Sequence, residues 1–337
     1  MSESPASHVE AAGDRVVAAA PPARAGRRAV DLVKRGAPYL VAGAALGTIL
    51  WQHPPGEIAR EVGKGAALAV VPIPLAMVAL TLFTVSAADW LVIRASTGPI
   101  PYLDVLRAKA GVTILNIVHY AAGQGGYGVW IARRTGVGVG LASGTTLYIV
   151  ASELTAVCTL ASGAIWLGDV ESAGALRVIA PAVAGALLLL ALTGPLEPFG
   201  KHRLTFLAPW RRVRPASMLA QTALRVAQIS TSVVGAWWAA RAFGMPVPLG
   251  VMFTYMPVVL VVASLPVNVA GFGAVQGAWL LLSPWATSGE QVLAFSLVFQ
   301  LSVAVALVLR GLPFVRRLVR EIERGRWPAA DGTPGGR

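Results

Sequence analysis

The sequence predicts an all-α fold, a polytopic helical bundle in a membrane, from its composition and from the spacing of its apolar runs. Of its 337 residues, 55% are hydrophobic and only 13% charged, whereas soluble domains carry roughly 25% charged residues. Apolar runs near the ~20 residues that cross a ~30 Å hydrocarbon layer recur at 66–93, 137–168, 174–194, 217–241 and 290–312, with a shorter sixth at 37–51. The expectation is about six full spans in a membrane domain over 37–312. A disordered tail, 1–36, precedes it and a basic tail, 313–337, follows it, both cytoplasmic.

Charge orders these elements. Arg15, Arg24, Arg27, Arg28, Lys34 and Arg35 precede the first run, and basic flanks mark the cytoplasmic side. Residues 52–65 mix both signs and are placed outside. The run 66–93 then returns the chain to Arg94, Arg107 and Lys109, with Pro72 and Pro74 marking a kink or a late helix start. A crossing at 103–122 would put Arg133 and Arg134 outside and the acidic gap Asp169–Glu171 inside, both the wrong way round. Residues 103–135 are therefore expected to dip in and turn back at the glycines of "YAAGQGGYG", 120–128.

The runs 137–168 and 174–194 then lead out and back to the basic loop "EPFGKHRLTFLAPWRRVR", and 290–312 ends inside, marked by Arg310, Arg316, Arg317, Arg320, Arg324 and Arg326. Between 217–241 and that last run, 248–283 becomes two short crossings or a second re-entrant hairpin broken at "PVNVAGFG". Ala122-Gly123-x-Gly125-Gly126 matches Ala270-Gly271-x-Gly273-Ala274. Opposed hairpins with matching breaks suggest an inverted repeat.

Several function classes are disfavoured. The net charge of +12 lies in gaps and tails, as the positive-inside rule places it, so no nucleic-acid partner is expected. Cys158 is the only cysteine, and His8, His53, His119 and His202 show no ligand spacing. No metal site and no cofactor are expected. Glu153 is the only carboxylate well inside an apolar run, apart from Asp89 near a run's end, and no P-loop, serine elbow or HExxH occurs. No catalytic residue is assigned.

Ionisable groups inside hydrocarbon cost a few kcal/mol and are functional candidates by default. Glu153 is one, and Gln221, Arg225, Gln228 and Ser232 form a polar stripe on one helix face. Arg225 either grips a phosphate with its guanidinium fork or snorkels to the interface while the glutamines bond neighbouring helices. Glu153 is either a cavity group or the structural partner of Arg225. The glycine stretches either free helix N–H groups for an anion or pack helices closely. Asn116, His119 and Gln124 flank the first stretch, and Asn268 and Gln276 the second. His119 is a site group or a packing histidine.

Three stretches, "LNIVHYAAGQGGYGVWIARRTG" at 115–136, "ASELTAVCTL" at 151–160 and "LPVNVAGFGAVQGAWLLL" at 265–282, carry a resemblance. They resemble the flippase-like membrane region of the lysylphosphatidylglycerol synthase superfamily, found also as a stand-alone bacterial membrane protein, over most of 37–312. Glu153, Leu265, Pro266, Gly271 and Gly273 match. Leu154 and Val157 stand where arginine and aspartate are usual, Gln276 where glutamate is, and Asp89 where arginine precedes Trp90. The resemblance is to a divergent member.

It implies a flippase-like protein of the bacterial cytoplasmic (inner) membrane that binds or translocates an anionic phospholipid or a polyprenyl-phosphate-linked lipid. Lysyl transfer is not implied. A non-transporting membrane assembly or regulatory protein, and a membrane-embedded lipid-modifying enzyme, remain the alternatives. The expected head-group set is Asn116, His119, Gly123, Gln124, Gly125, Gly126 and Arg133, then Glu153, Gln221, Arg225 and Gln228, then Asn268, Gly271, Gly273 and Gln276.

Overall fold

The computed structural model describes residues 47–63, 66–118, 120–167, 174, 176–193, 205–264 and 274–324. These residues form helices, with no strand among them. In chain order they are α1 (Pro55–Gly63), α2 (Ala66–Val70), α3 (Pro72–Thr97), α4 (Tyr102–Val118), α5 (Tyr120–Thr135), α6 (Val139–Leu167), α7 (Leu176–Thr193), α8 (Ala208–Arg212), α9 (Pro215–Ala242), α10 (Leu249–Ser264), α11 (Ala274–Trp279) and α12 (Gly289–Arg324). Short 3₁₀ turns precede α8 and follow α11.

Three stretches, Ala67–Thr97, Val139–Trp166 and Gly289–Glu323, are long and apolar enough to cross a membrane. Their outer faces stay apolar: Leu80, Phe83, Leu301 and Leu309 are exposed, as side chains facing lipid tails are. The expected run 217–241 is also one long helix, α9, but its interior carries buried Gln221 and Arg225. The run 174–194 corresponds to the 18-residue α7. Most of 37–51 lies outside the described residues.

Proline and glycine set the corners. Proline begins α3 at Pro72, where the missing N–H has no intrahelical partner to lose. Gly98, at φ 118°, ends it and donates its N–H to Arg94 O at 3.3 Å, and Pro99 and Pro101 block continuation. The same corner recurs after α9: Pro215 starts the helix, Gly244 at φ 82° follows its end, and Pro246 and Pro248 come next. Trp90 Nε1 donates to Ile100 O at 2.8 Å, and Trp237 Nε1 donates to Val247 O at 2.9 Å. Arg94 lies 5.2 Å over the Trp90 ring, and Arg241 lies 5.2 Å over the Trp237 ring. The two corners are one device used twice, 147 positions apart from Trp90 to Trp237.

The copies run in opposite directions. Met77 meets Gly235 and Asp89 meets Arg225, so α3 and α9 are antiparallel. Helices α4 and α5 form a hairpin: Arg134 pairs with Asp104 at its open end, and Gly123 faces Asn116 near its tip. At 17 and 16 residues each arm is only about 25 Å long. Helix α4 ends at Val118 and α5 begins at Tyr120, ahead of the glycines, so Gly123, Gly125 and Gly126 lie inside α5 and not at a break. Small residues early in an arm are tolerated as helix because the facing arm fills the space they leave, as Asn116 does at Gly123.

Helix α4 packs antiparallel on α12, with Gly111 against Leu318 and Gly311 against Ala110 and Ile114. Trp130 Nε1 donates to Glu321 Oε2 at 2.9 Å, so the hairpin opens at the end of α12. Ser96 shares a 3.0 Å hydroxyl contact with Thr145, and Arg212 donates to Ser96 O at 2.8 Å. The ends of α3, α5 and α12 and the starts of α4, α6 and α9 thus gather at one pole. That pole holds Arg133, Arg134, Arg211, Arg212, Arg316 and Arg317 against Asp104, Glu321 and Glu323. The opposite pole is tied by His53 Nδ1 to Glu290 Oε1 at 2.5 Å and by Gln291 to Phe243 O.

Candidate functional site

Where α3, α4, α6, α9, α10 and α12 converge, they enclose a cavity of about 300 Å³. Its lining is duplicated. Thr81 and Gln228, Val85 and Ser232, Lys109 and Met256, Thr113 and Leu260, Asn116 and Ala263, and Glu153 and Gln300 all line it. Each pair is 147 positions apart, the interval that separates the two tryptophan corners. Equivalent positions of the two copies therefore face one space. The ionisable members of these pairs, Lys109 and Glu153, come from the first copy.

Beside the cavity lies a buried ionic network. Asp89 and Arg225 have no exposed surface, and their side chains pair directly through Arg225 Nη2 and Asp89 Oδ1. Lys109 Nζ reaches the other carboxylate oxygen of Asp89 at 2.8 Å. Arg225 Nη1 donates to Gln228 Oε1 at 3.1 Å and lies 3.6 Å from Glu153 Oε2. Lys109 also stands 5.2 Å over the Tyr127 ring, which stacks on Trp130. Two cations and two carboxylates balance within this network. Burying such charges is tolerable only because each has an opposite partner close by.

Arg310 has no charged partner among the described residues. It donates from Nη1 to Val78 O at 2.9 Å and from Nη2 to Thr113 Oγ1 at 2.8 Å, both neutral groups. No carboxylate pairs with it among the described residues, and its Nε lacks a hydrogen-bond partner among them. It lines the cavity together with Glu153, Asn116 and Gln124. Asn116 Oδ1 and Gln124 Oε1 are buried and also lack partners among the described residues. A cation held by neutral groups in a cavity between apolar helices favours an anion there.

The expected residues divide accordingly. Asn116, Gln124, Glu153 and Gln228 meet at the cavity. Arg225 lies behind it, held by Asp89, so the snorkelling alternative fails: the side chain turns inward to a carboxylate. Gln221 is buried away from the cavity and donates to Ser152 Oγ. Gln276 is buried outside the lining. Arg133 belongs to the basic pole, with Nη1 3.4 Å from Glu323 O, because it lies nine positions beyond Gln124 on α5. Gly123 and Gly126 serve hairpin packing, and Gly125 faces open space. His119, Asn268, Gly271 and Gly273 lie outside the described residues.

Lys109, Thr113, Gln300 and Arg310 are site residues that charge patterning alone reads as flanks or apolar-run interior. Arg310 and Lys109 were assignable to cytoplasmic ends by the positive-inside rule, and only the hairpin's insertion alongside α12 brings them to the cavity. The signal in the sequence was the repeat W-x₃-R followed by P-x-P, whose 147-residue interval superimposes the two linings. No family model matches the chain, and no curated protein matches it.

Proposed function

We propose that this chain is a flippase-like membrane protein that holds the phosphate-bearing head group of an anionic lipid in the cavity between two inverted halves. Arg310 carries the reading: it is a guanidinium lining a cavity among spanning helices and bonded, among the described residues, only to neutral oxygens. Guanidinium suits phosphate through its planar fork. Asn116, Gln124 and Gln228 add neutral hydrogen-bonding groups, and the Asp89–Arg225–Lys109 network braces the wall from behind. The halves comprise α3–α6 and α9–α12, each with a long helix, two shorter helices and a second long helix. Inverted repeats of this kind bind substrate near the bilayer midplane, where the repeats meet.

The basic pole is the cytoplasmic one in this account, because arginine-rich ends remain inside. The resemblance to the flippase-like region of the lysylphosphatidylglycerol synthase superfamily points the same way, and the lipid is an anionic phospholipid or a polyprenyl-phosphate lipid. The test is reconstitution of the full chain into liposomes with head-group-accessible reporter lipids. Protein-dependent movement of phosphatidylglycerol, but not of phosphatidylcholine, is expected. Equal movement of both, or of neither, overturns the proposal.

A further inference from the structure

The two copies are not in the same state where they meet lipid. On α6, Glu153, Val157, Leu160 and Ala164 follow one another at helical spacing, and on α10 so do Ala263, Leu260, Phe253 and Leu249. Residues of both stripes line first a pocket that shares Glu153, Gln228 and Leu260 with the charged cavity, then a larger apolar groove of about 460 Å³. Gly163 and Gly250 line that groove, and a Cβ added at either would meet nothing within 4 Å. The equivalent place in the other copy, between α12 and α4, is shut. There Gly163 corresponds to Arg310 and Ala164 to Gly311. A Cβ at Gly311 would lie 2.7 Å from Ala110 O, and Arg310 bridges to Thr113 of α4.

The geometry points to the α6/α10 groove as the seat of a lipid's hydrocarbon chain, open in this conformation, while its counterpart between α12 and α4 is closed by Arg310. The inference rests on the head-group reading above and names what that reading leaves open, the path by which the chain stays in lipid while the phosphate is in the cavity. Adjacency decides the occupant. The apolar groove begins one turn of α6 beyond Val157 of the pocket that shares Glu153 with the charged cavity, and a charged cavity beside an apolar groove fits one molecule with an anionic head and an apolar tail. Gly163 matters because its missing side chain leaves the room that Arg310 fills in the other copy. A larger residue there plugs the groove without striking the backbone.

The test uses the full chain in phosphatidylcholine nanodiscs doped with a phosphatidic acid that carries a diazirine at mid-chain. On irradiation, adducts are expected to concentrate on residues 159–164 and 249–253. Gly163→Phe and Gly250→Phe should each lower them about tenfold, the effect of excluding roughly two buried methylenes. Gly185→Phe, on α7 with equally open surroundings, should leave them unchanged. Adducts spread over lipid-facing positions such as Leu301 and Leu309, or undiminished in both groove variants, overturn the groove.

Arg310→Gln separates the two readings. Loss of groove adducts in Arg310→Gln and in the groove variants supports both. Loss only in the groove variants keeps the groove and overturns the head-group role of Arg310. Loss only in Arg310→Gln does the reverse.

Discussion

Replacing Asp89 by asparagine tests whether the buried network holds the site together. The change keeps the side chain's shape and removes its charge, so packing is preserved and electrostatics are not. Asp89 is fully buried and holds two cations, Arg225 through a direct pair and Lys109 at 2.8 Å. At an effective dielectric constant of about 20, unit charges 4 Å apart interact by ~4 kcal/mol. Removing one partner of a buried pair typically costs about 3–5 kcal/mol, because the other charge is stranded. Of the two carboxylates in this network Glu153 would remain, 3.6 Å from Arg225 and about one-third exposed at 36%. The expected loss is therefore about 3–5 kcal/mol.

Reversible unfolding in mixed micelles, followed by tryptophan fluorescence, measures it. Adding Arg225→Gln to Asp89→Asn should restore part of the loss, with a coupling of about 2 kcal/mol. A change within about 0.5 kcal/mol for Asp89→Asn, or additive single and double variants, would refute the reasoning.

Other outcomes follow from the same geometry. Gly123→Ala should destabilise by about 1–3 kcal/mol, because its Cβ would fall 1.7 Å from Asn116 Oδ1 and 2.9 Å from Asn116 N. Gly125→Ala meets open space and should be neutral or stabilising by up to about 1 kcal/mol through helix propensity; the same unfolding assay reads both, and equal effects would contradict the hairpin packing. For topology, a single cysteine at Arg134, Arg211 or Arg317 in a Cys158→Ser background should react with an impermeant maleimide only after cells are opened. A cysteine at Gln52 should react in intact cells, and labelling of position 134 from outside would contradict the placement of the basic pole.

The helical class and its long spans were legible because period and length speak directly to both. The spans 66–93, 137–168 and 290–312 reappear as helices of the right length. The turning back of 103–135 was legible through charge parity, since Arg133 and Arg134 had to share a side with Arg107. Its turning point was not. Glycine was read as the break, but in α5 it lets Asn116 of the facing arm approach, and a contact across a hairpin leaves no mark in local composition. Arg225 was legible as a special charge, and its partner Asp89 was not, because Asp89 lies 136 positions away at the end of another run. Arg310 was read as a flank because the rule that assigns arginine to a cytoplasmic edge carries no information about which hairpin inserts beside it.

The most direct measurement is equilibrium binding of a fluorescent phosphatidic acid to the purified chain and its Arg310 variants in phosphatidylcholine nanodiscs. A charged hydrogen bond to phosphate is worth about 1.5–3 kcal/mol, so Arg310→Gln should weaken binding about tenfold or more. Arg310→Lys, which keeps the charge but loses the fork, should fall between. Thr113→Val, which removes the neutral hydroxyl that holds Arg310 but keeps the guanidinium, should weaken binding less than Arg310→Gln does. Undiminished affinity in a folded Arg310→Gln protein would contradict the claim that this cavity recognises a phosphate head group.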